Sequence, residues 1–166
     1  MSNKLTSKKI ALYGLLTALA LIFGYVEFLL PLNFIAPGVK LGVANAVFLI
    51  LLLKGRVKAA VIINVLRILL SALLFAAPFS LIFSLTAGVV SMLGMFLVSR
   101  LKGVGVVGIS VIGGTLHNLA QLLVATFTVG QAVWFYMPFL LVAGSIAGIA
   151  VGFISWLICK KLPNII

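Results

Sequence analysis

The residues able to do chemistry in this chain are few, and they sit inside hydrocarbon. The stretch Pro37-Gly38-Val39-Lys40-Leu41-Gly42-Val43-Ala44-Asn45 joins a Pro-Gly turn to a lysine, a helix start and an amide. Glu27 precedes it, and Asn64, Arg67, His117, Asn118 and Gln121 follow in later apolar runs. Two cations, one carboxylate, four amides and one imidazole make a set suited to binding an anionic or partly polar small molecule. The cations supply charge and the amides fix orientation through hydrogen bonds.

The same inventory argues against most catalysis. The chain has one acid, Glu27, and no aspartate. A Ser/His/Asp triad therefore lacks its acid. No GxxxxGK loop followed by Ser or Thr is present, and no acidic partner for Mg²⁺, so the chain is not expected to hydrolyse ATP. His117 stands without a second histidine, and Cys159 is the single cysteine, which leaves no metal site and no internal disulfide. No catalytic residue, metal or cofactor is expected in this chain.

Composition sets the solvent. Of 166 residues, 64% are hydrophobic and 8% charged, and the mean hydropathy is +1.41. So much apolar surface at this length requires lipid around it. Twelve Lys and Arg give a formal charge of +11. They fall in short clusters between apolar runs, which is a topology signal and not a nucleic-acid footprint. No cleavable signal peptide is expected, because the first apolar run is long enough to span.

The chain divides into one all-α membrane domain, residues 1–166, with six segments at about 10–30, 40–53, 59–75, 79–99, 104–127 and 132–158. Long continuous apolar runs favour a helical bundle over a barrel. The second segment is short for the roughly 20 residues of a full span. Lys4, Lys8 and Lys9, then Lys54-Gly55-Arg56-Val57-Lys58, then Arg100-Leu101-Lys102, then Lys160-Lys161 mark alternate connections. The positive-inside rule then places both termini in the cytoplasm of a multi-pass cell-membrane protein.

Lys40 and Arg67 are left over by that rule. Arg67 lies nine residues beyond Lys58, close to mid-bilayer at about 1.5 Å per residue. A charge there costs at least about 2.5–3.5 kcal/mol and must face the protein interior or a polar cavity. Asn64, Arg67 and Ser71 share one helical face, and Gly114, His117, Asn118 and Gln121 cluster on one side of the fifth segment. These groups collect in the middle and outer half, which suggests a cavity open to the outside. Blander readings stand beside this one. Arg67 and Glu27 would make a structural bridge, Lys40 would snorkel to the interface, and the amides and His117 would only join helices.

Small residues form a second pattern. Gly144, Gly148 and Gly152 recur every fourth position and favour close helix packing within the protein. Gly14 and Ala18 make a similar step on the first helix, a candidate face for another membrane subunit.

The opening helix IALYGLLTALA (residues 10–20) and the six short spans resemble a substrate-binding S component of an energy-coupling-factor (ECF) transporter. The stretches PGVKLGVAN (37–45), NVLRILLSALLF (64–75) and GTLHNLAQLLVA (114–125) resemble more narrowly the Gx transporter family, labelled heptaprenyl diphosphate synthase component I. The resemblance implies an S-component-like fold with an outer pocket for a vitamin, flavin, quinone or isoprenoid precursor. It also implies docking through the first helix onto a membrane coupling subunit whose two partner ATPases use the ATP. Gly14-xxx-Ala18 stands where such families carry Ala-xxx-Ala. Prenyl diphosphate synthases hold Mg²⁺ and diphosphate with aspartate-rich motifs, so the synthase label does not suit this chain acting alone. The alternative function is a non-transporting anchor or assembly subunit of a redox or prenyl-lipid complex. A homo-oligomeric channel is disfavoured, because the inner halves of the segments read as apolar.

Overall fold

The computed structural model describes residues 7–29, 42–76 and 80–161. Lys40, Pro37 and Gly38 of the opening motif lie outside the described residues. Among the described residues there are six α-helices: α1 (Ser7–Leu29), α2 (Asn45–Leu53), α3 (Val57–Leu74), α4 (Ser80–Val98), α5 (Val106–Val129) and α6 (Met137–Lys161). A short 3₁₀ helix, Gln131–Tyr136, leads from α5 into α6. Among the described residues every regular element is helical.

Among the described residues five helices are long and apolar enough to cross a membrane, α6 together with the 3₁₀ turn before it. Their outward faces carry bare hydrocarbon, with Leu73 82%, Phe127 90% and Phe135 89% exposed. In water such faces would drive aggregation. In lipid they are the solvated surface, which makes this a multi-pass membrane protein.

The exception is α2. Its nine residues rise only about 13.5 Å at 1.5 Å each, under half of the roughly 30 Å of hydrocarbon. Every residue from Asn45 to Leu52 is buried. The sequence NAVFLILLL is apolar all round, and a helix of that kind belongs inside a core. Val47, Phe48, Leu49, Leu51 and Leu52 pack with Ala20 of α1, Ile63 of α3, Met92 and Met95 of α4 and Ile109 of α5. The protein therefore buries its most lipophilic helix within itself and gives lipid the sides of the longer ones.

The position of α2 sets the depth of everything else. Its C-terminal Leu52 and Leu53 lie beside Arg100 and Val104, at the end of the bundle formed by the α2–α3 and α4–α5 turns. Its first residue, Asn45, lies beside Ser91 and His117, midway along α4 and α5. So α2 begins near the middle of the membrane and runs to one end. At that end Gly55, with φ of 69°, makes the left-handed turn into α3 that only glycine adopts without a side-chain clash.

Helix α5 packs most extensively against α6 and α4. The α5–α6 seam is close enough to exclude side chains. A Cβ added at Gly148 would stand 2.6 Å from Val111 Cα, and one at Gly152 would stand 2.8 Å from Val107 Cα. Where lipid tails are as apolar as the side chains, such backbone contact replaces the missing hydrophobic drive.

Candidate functional site

The polar side chains singled out on α1, α2, α3 and α5 converge around the start of α2. All are buried: Glu27 is 3% exposed, Asn45 4%, Asn64 3%, Arg67 4%, His117 3%, and Asn118 and Gln121 0%. A buried polar group in an apolar surround costs free energy unless it is hydrogen-bonded, so the partners decide what each residue does.

On one side stands Arg67. Its Nε and Nη2 both donate to Asn64 Oδ1, at 3.1 and 2.8 Å. The three-residue spacing on α3 places the amide directly under the guanidinium. Asn64 Nδ2 in turn reaches Met92 Sδ of α4 at 3.1 Å. The Nη1 end points toward α1, 3.8 Å from where a Cβ at Gly24 would lie. A Cβ at Gly24 would only touch the guanidinium, and Glu27 one turn on is close enough to act on its charge.

Glu27 does more than balance that charge. Its Oε1 accepts a hydrogen bond from the backbone N–H of Val43. Val43 precedes α2, whose N-cap residue Ala44 offers no side-chain bond. A carboxylate from α1 thus serves the N-terminus of α2, where unpaired N–H groups and the positive end of the helix dipole favour a negative charge. The single acid of the chain is spent on the start of the buried helix.

On the other side stands Asn45. Its Nδ2 donates to Ser91 Oγ at 3.1 Å and faces His117 Nδ1 at 3.4 Å. The amide and the imidazole thus meet within hydrogen-bond reach, with donor and acceptor roles set by the ring tautomer. Gly42, with φ of 82°, brings the chain across the imidazole face; a Cβ there would lie 3.3 Å from His117 Cδ2 and Cγ. Asn118 Nδ2 donates to the Leu140 carbonyl of α6 at 2.8 Å. Two side-chain acceptors in this centre, Asn45 Oδ1 and Asn118 Oδ1, have no hydrogen-bond partner among the described residues. A cavity of about 10 Å³ adjoins Asn45 and Gly42, room for one water.

The structure thus brings Glu27, Asn45, Asn64, Arg67 and His117 to one region, while Asn118 turns toward α6 and Gln121 is buried one turn further along α5. Lys40 lies outside the described residues. For the alternative of an Arg67–Glu27 bridge, the two groups are close enough for their charges to act on each other, while the guanidinium also bonds Asn64 and the carboxylate accepts from the Val43 N–H. Ser91 and Gly42 are contributors that the side-chain inventory passed over. The spacing Ser84, Gly88, Ser91, on one face of α4, was the available signal. The basic end also proves less purely apolar than the segments suggested, since Ser110 and Ser155 are buried there.

Gly14 and Ala18 occupy a different surface. Both are exposed and line an apolar groove between α1 and α3 with Tyr13, Ile62 and Leu66. Gly144, Gly148 and Gly152 are buried in the α5–α6 seam.

These features define a multi-pass helical membrane protein whose polar groups converge on a half-length helix in mid-membrane. The chain belongs to the family described as heptaprenyl diphosphate synthase component I, whose model matches residues 16–158, from within α1 to within α6. No curated protein and no solved structure matches it.

Proposed function

We propose that this protein is the substrate-binding membrane subunit of an ECF-type uptake transporter, and that it takes a small anionic or partly polar compound of the vitamin, flavin, quinone or isoprenoid-precursor class. The observation that carries this reading is the start of α2. A helix that begins at mid-depth presents its positive end there, and membrane transporters use such interrupted helices to receive anionic groups. Here that end is ringed by Arg67, Asn64, Asn45 and His117. Asn45 Oδ1 and Asn118 Oδ1 supply acceptors for a substrate donor, and Lys40, three residues before Val43 in the chain, adds a second cation. Both termini and the basic turns are on the cytoplasmic side in this reading.

The chain has no motor, so energy comes from partner ATPases through a membrane coupling subunit. The open groove beside Gly14 and Ala18 is the face for that contact. The family description speaks of one component of a synthase. A prenyl synthase holds diphosphate through Mg²⁺ and several carboxylates, while this chain has one acid, buried and bonded to backbone. The second reading is a non-transporting anchor or assembly subunit of a redox or prenyl-lipid complex, which binds a protein partner and no small molecule.

Mass spectrometry of compounds released from the gently purified protein separates the two. A stoichiometric small molecule, absent from Arg67→Ala, is expected. An empty wild-type protein that copurifies with a membrane partner would replace the uptake reading with the assembly role.

A further inference from the structure

A second polar feature lies at the opposite end of α2. A groove of about 510 Å³ opens between the α2–α3 turn and the α4–α5 turn. One wall is hydrocarbon, from Leu52, Val57, Phe96 and Val104. The rim is polar, with Ser99 and Arg100. Arg100 is held at that rim by the end of α4, its guanidinium carbon 4.7 Å from the centroid of the Phe96 ring. A cation stacked on an aromatic face gives up little hydration and still keeps its N–H groups for an anion.

The charge around the groove has one sign. Lys54, Arg56 and Lys58 lie on or beside the first turn and Lys102 on the second. The acid of the chain, Glu27, is bonded at the other end of α2. Helices α3 and α5 both begin at this groove, without a side-chain cap and without an acid in the first turn, so their dipoles add to the same field. The groove is far larger than a lone inorganic anion requires, and its apolar wall would be wasted on one. An amphiphile with a negative head and hydrocarbon tails matches both halves.

We infer that this groove binds the phosphate group of an anionic membrane phospholipid, with the acyl chains along the Leu52–Val57–Phe96 wall. Basic pockets between helix ends at a membrane surface recognise head groups in this way. The site is independent of the uptake reading, since it lies at the far end of α2 from Arg67 and His117.

The test is native mass spectrometry of the full chain in detergent, titrated with dioleoyl phosphatidylglycerol, with dioleoyl phosphatidylcholine, and with inorganic phosphate as competitor. A one-to-one phosphatidylglycerol adduct is expected, with phosphatidylcholine at least about fivefold weaker. Arg100→Gln is expected to weaken the adduct about fivefold, the worth of one cation near a membrane surface. Gly105 lines the groove and a Cβ there meets nothing within 4 Å, so Gly105→Leu adds bulk at the groove with no change of charge and is expected to weaken the adduct as well. Lys160→Gln removes the same charge outside the groove and is expected to leave binding unchanged. Equal binding of the two lipids, equal effects of Arg100→Gln and Lys160→Gln, no effect of Gly105→Leu, or displacement by millimolar inorganic phosphate would each overturn the assignment.

Discussion

Helix α5 meets its neighbours in two contrasting ways. Toward α6, Gly144, Gly148 and Gly152 bring one backbone against the other, with hydrogen-sized side chains between them. Toward α2 the contact runs through His117 and Asn45, whose amide also bonds Ser91 of α4, and Asn64 and Arg67 of α3 lie beyond them. Asn118 stands where the two seams meet, its Nδ2 donating to the Leu140 carbonyl of α6. The glycine seam needs no polar group to be stable in lipid, because close backbone contact gains dispersion without any desolvation. The polar seam begins with a cost of at least about 2.5–3.5 kcal/mol for Arg67 alone. Six helices could be joined entirely by the first method. The use of the second around α2 is what marks that region as the one with a task.

If the polar seam is a network under charge balance, breaking one partner is worse than removing both. Arg67→Met leaves Asn64 Oδ1 without its two donors and Glu27 without the cation that acts on it. Loss of one member of a buried pair costs about 3–5 kcal/mol, to be read from unfolding in mixed detergent micelles. The double variant Glu27→Gln/Arg67→Met is expected to recover most of that loss and still to hold no ligand. A folded double variant without ligand would separate a binding role for Arg67 from a structural one. A double variant as unstable as the sum of the singles would show that the two groups act independently.

The glycine seam breaks differently. Gly148→Leu puts a side chain where the Cα of Val111 stands 2.6 Å from the new Cβ. Backbone cannot rotate away as a side chain would, so overpacking is expected to cost about 1–3 kcal/mol. The expected signature is a lower melting temperature with ligand content per folded molecule unchanged. An unchanged melting temperature would mean that α5 and α6 part readily. Lost ligand with normal stability would mean that the seam belongs to the site.

Much of this contrast was legible in the amino-acid sequence, and for identifiable reasons. An arginine nine residues from the nearest basic turn can only be a deep charge, and a four-residue glycine period can only be a close-packing face. The short second segment was readable from its length. Its complete burial was not, because an all-apolar run looks the same whether lipid or protein surrounds it. For the same reason depth was readable for charges and not for serines: Ser91 and Ser110 cost too little in a helix to stand out. The role of Glu27 was half visible. Its charge suggested a cation partner, but a bond to the N–H of Val43 leaves no trace in residue types, since every residue except proline carries that donor.

Ser91 supplies the finest probe of how tightly the polar seam is tuned. Its hydroxyl accepts from Asn45 Nδ2 at 3.1 Å, and its side chain is wholly buried. Interhelical hydrogen bonds in membranes average about 0.6 kcal/mol, so Ser91→Ala should barely move stability. Asn45 Nδ2 would then keep only the His117 Nδ1 contact, at 3.4 Å, and the amide would be free to turn. If Asn45 orients a substrate, Ser91→Ala should weaken ligand retention severalfold with a near-normal melting temperature. If Asn45 only joins α2 to α5, ligand retention and stability should fall together by that same small amount. The ratio of the two losses measures whether the start of α2 is held in place for the fold or for what the fold receives.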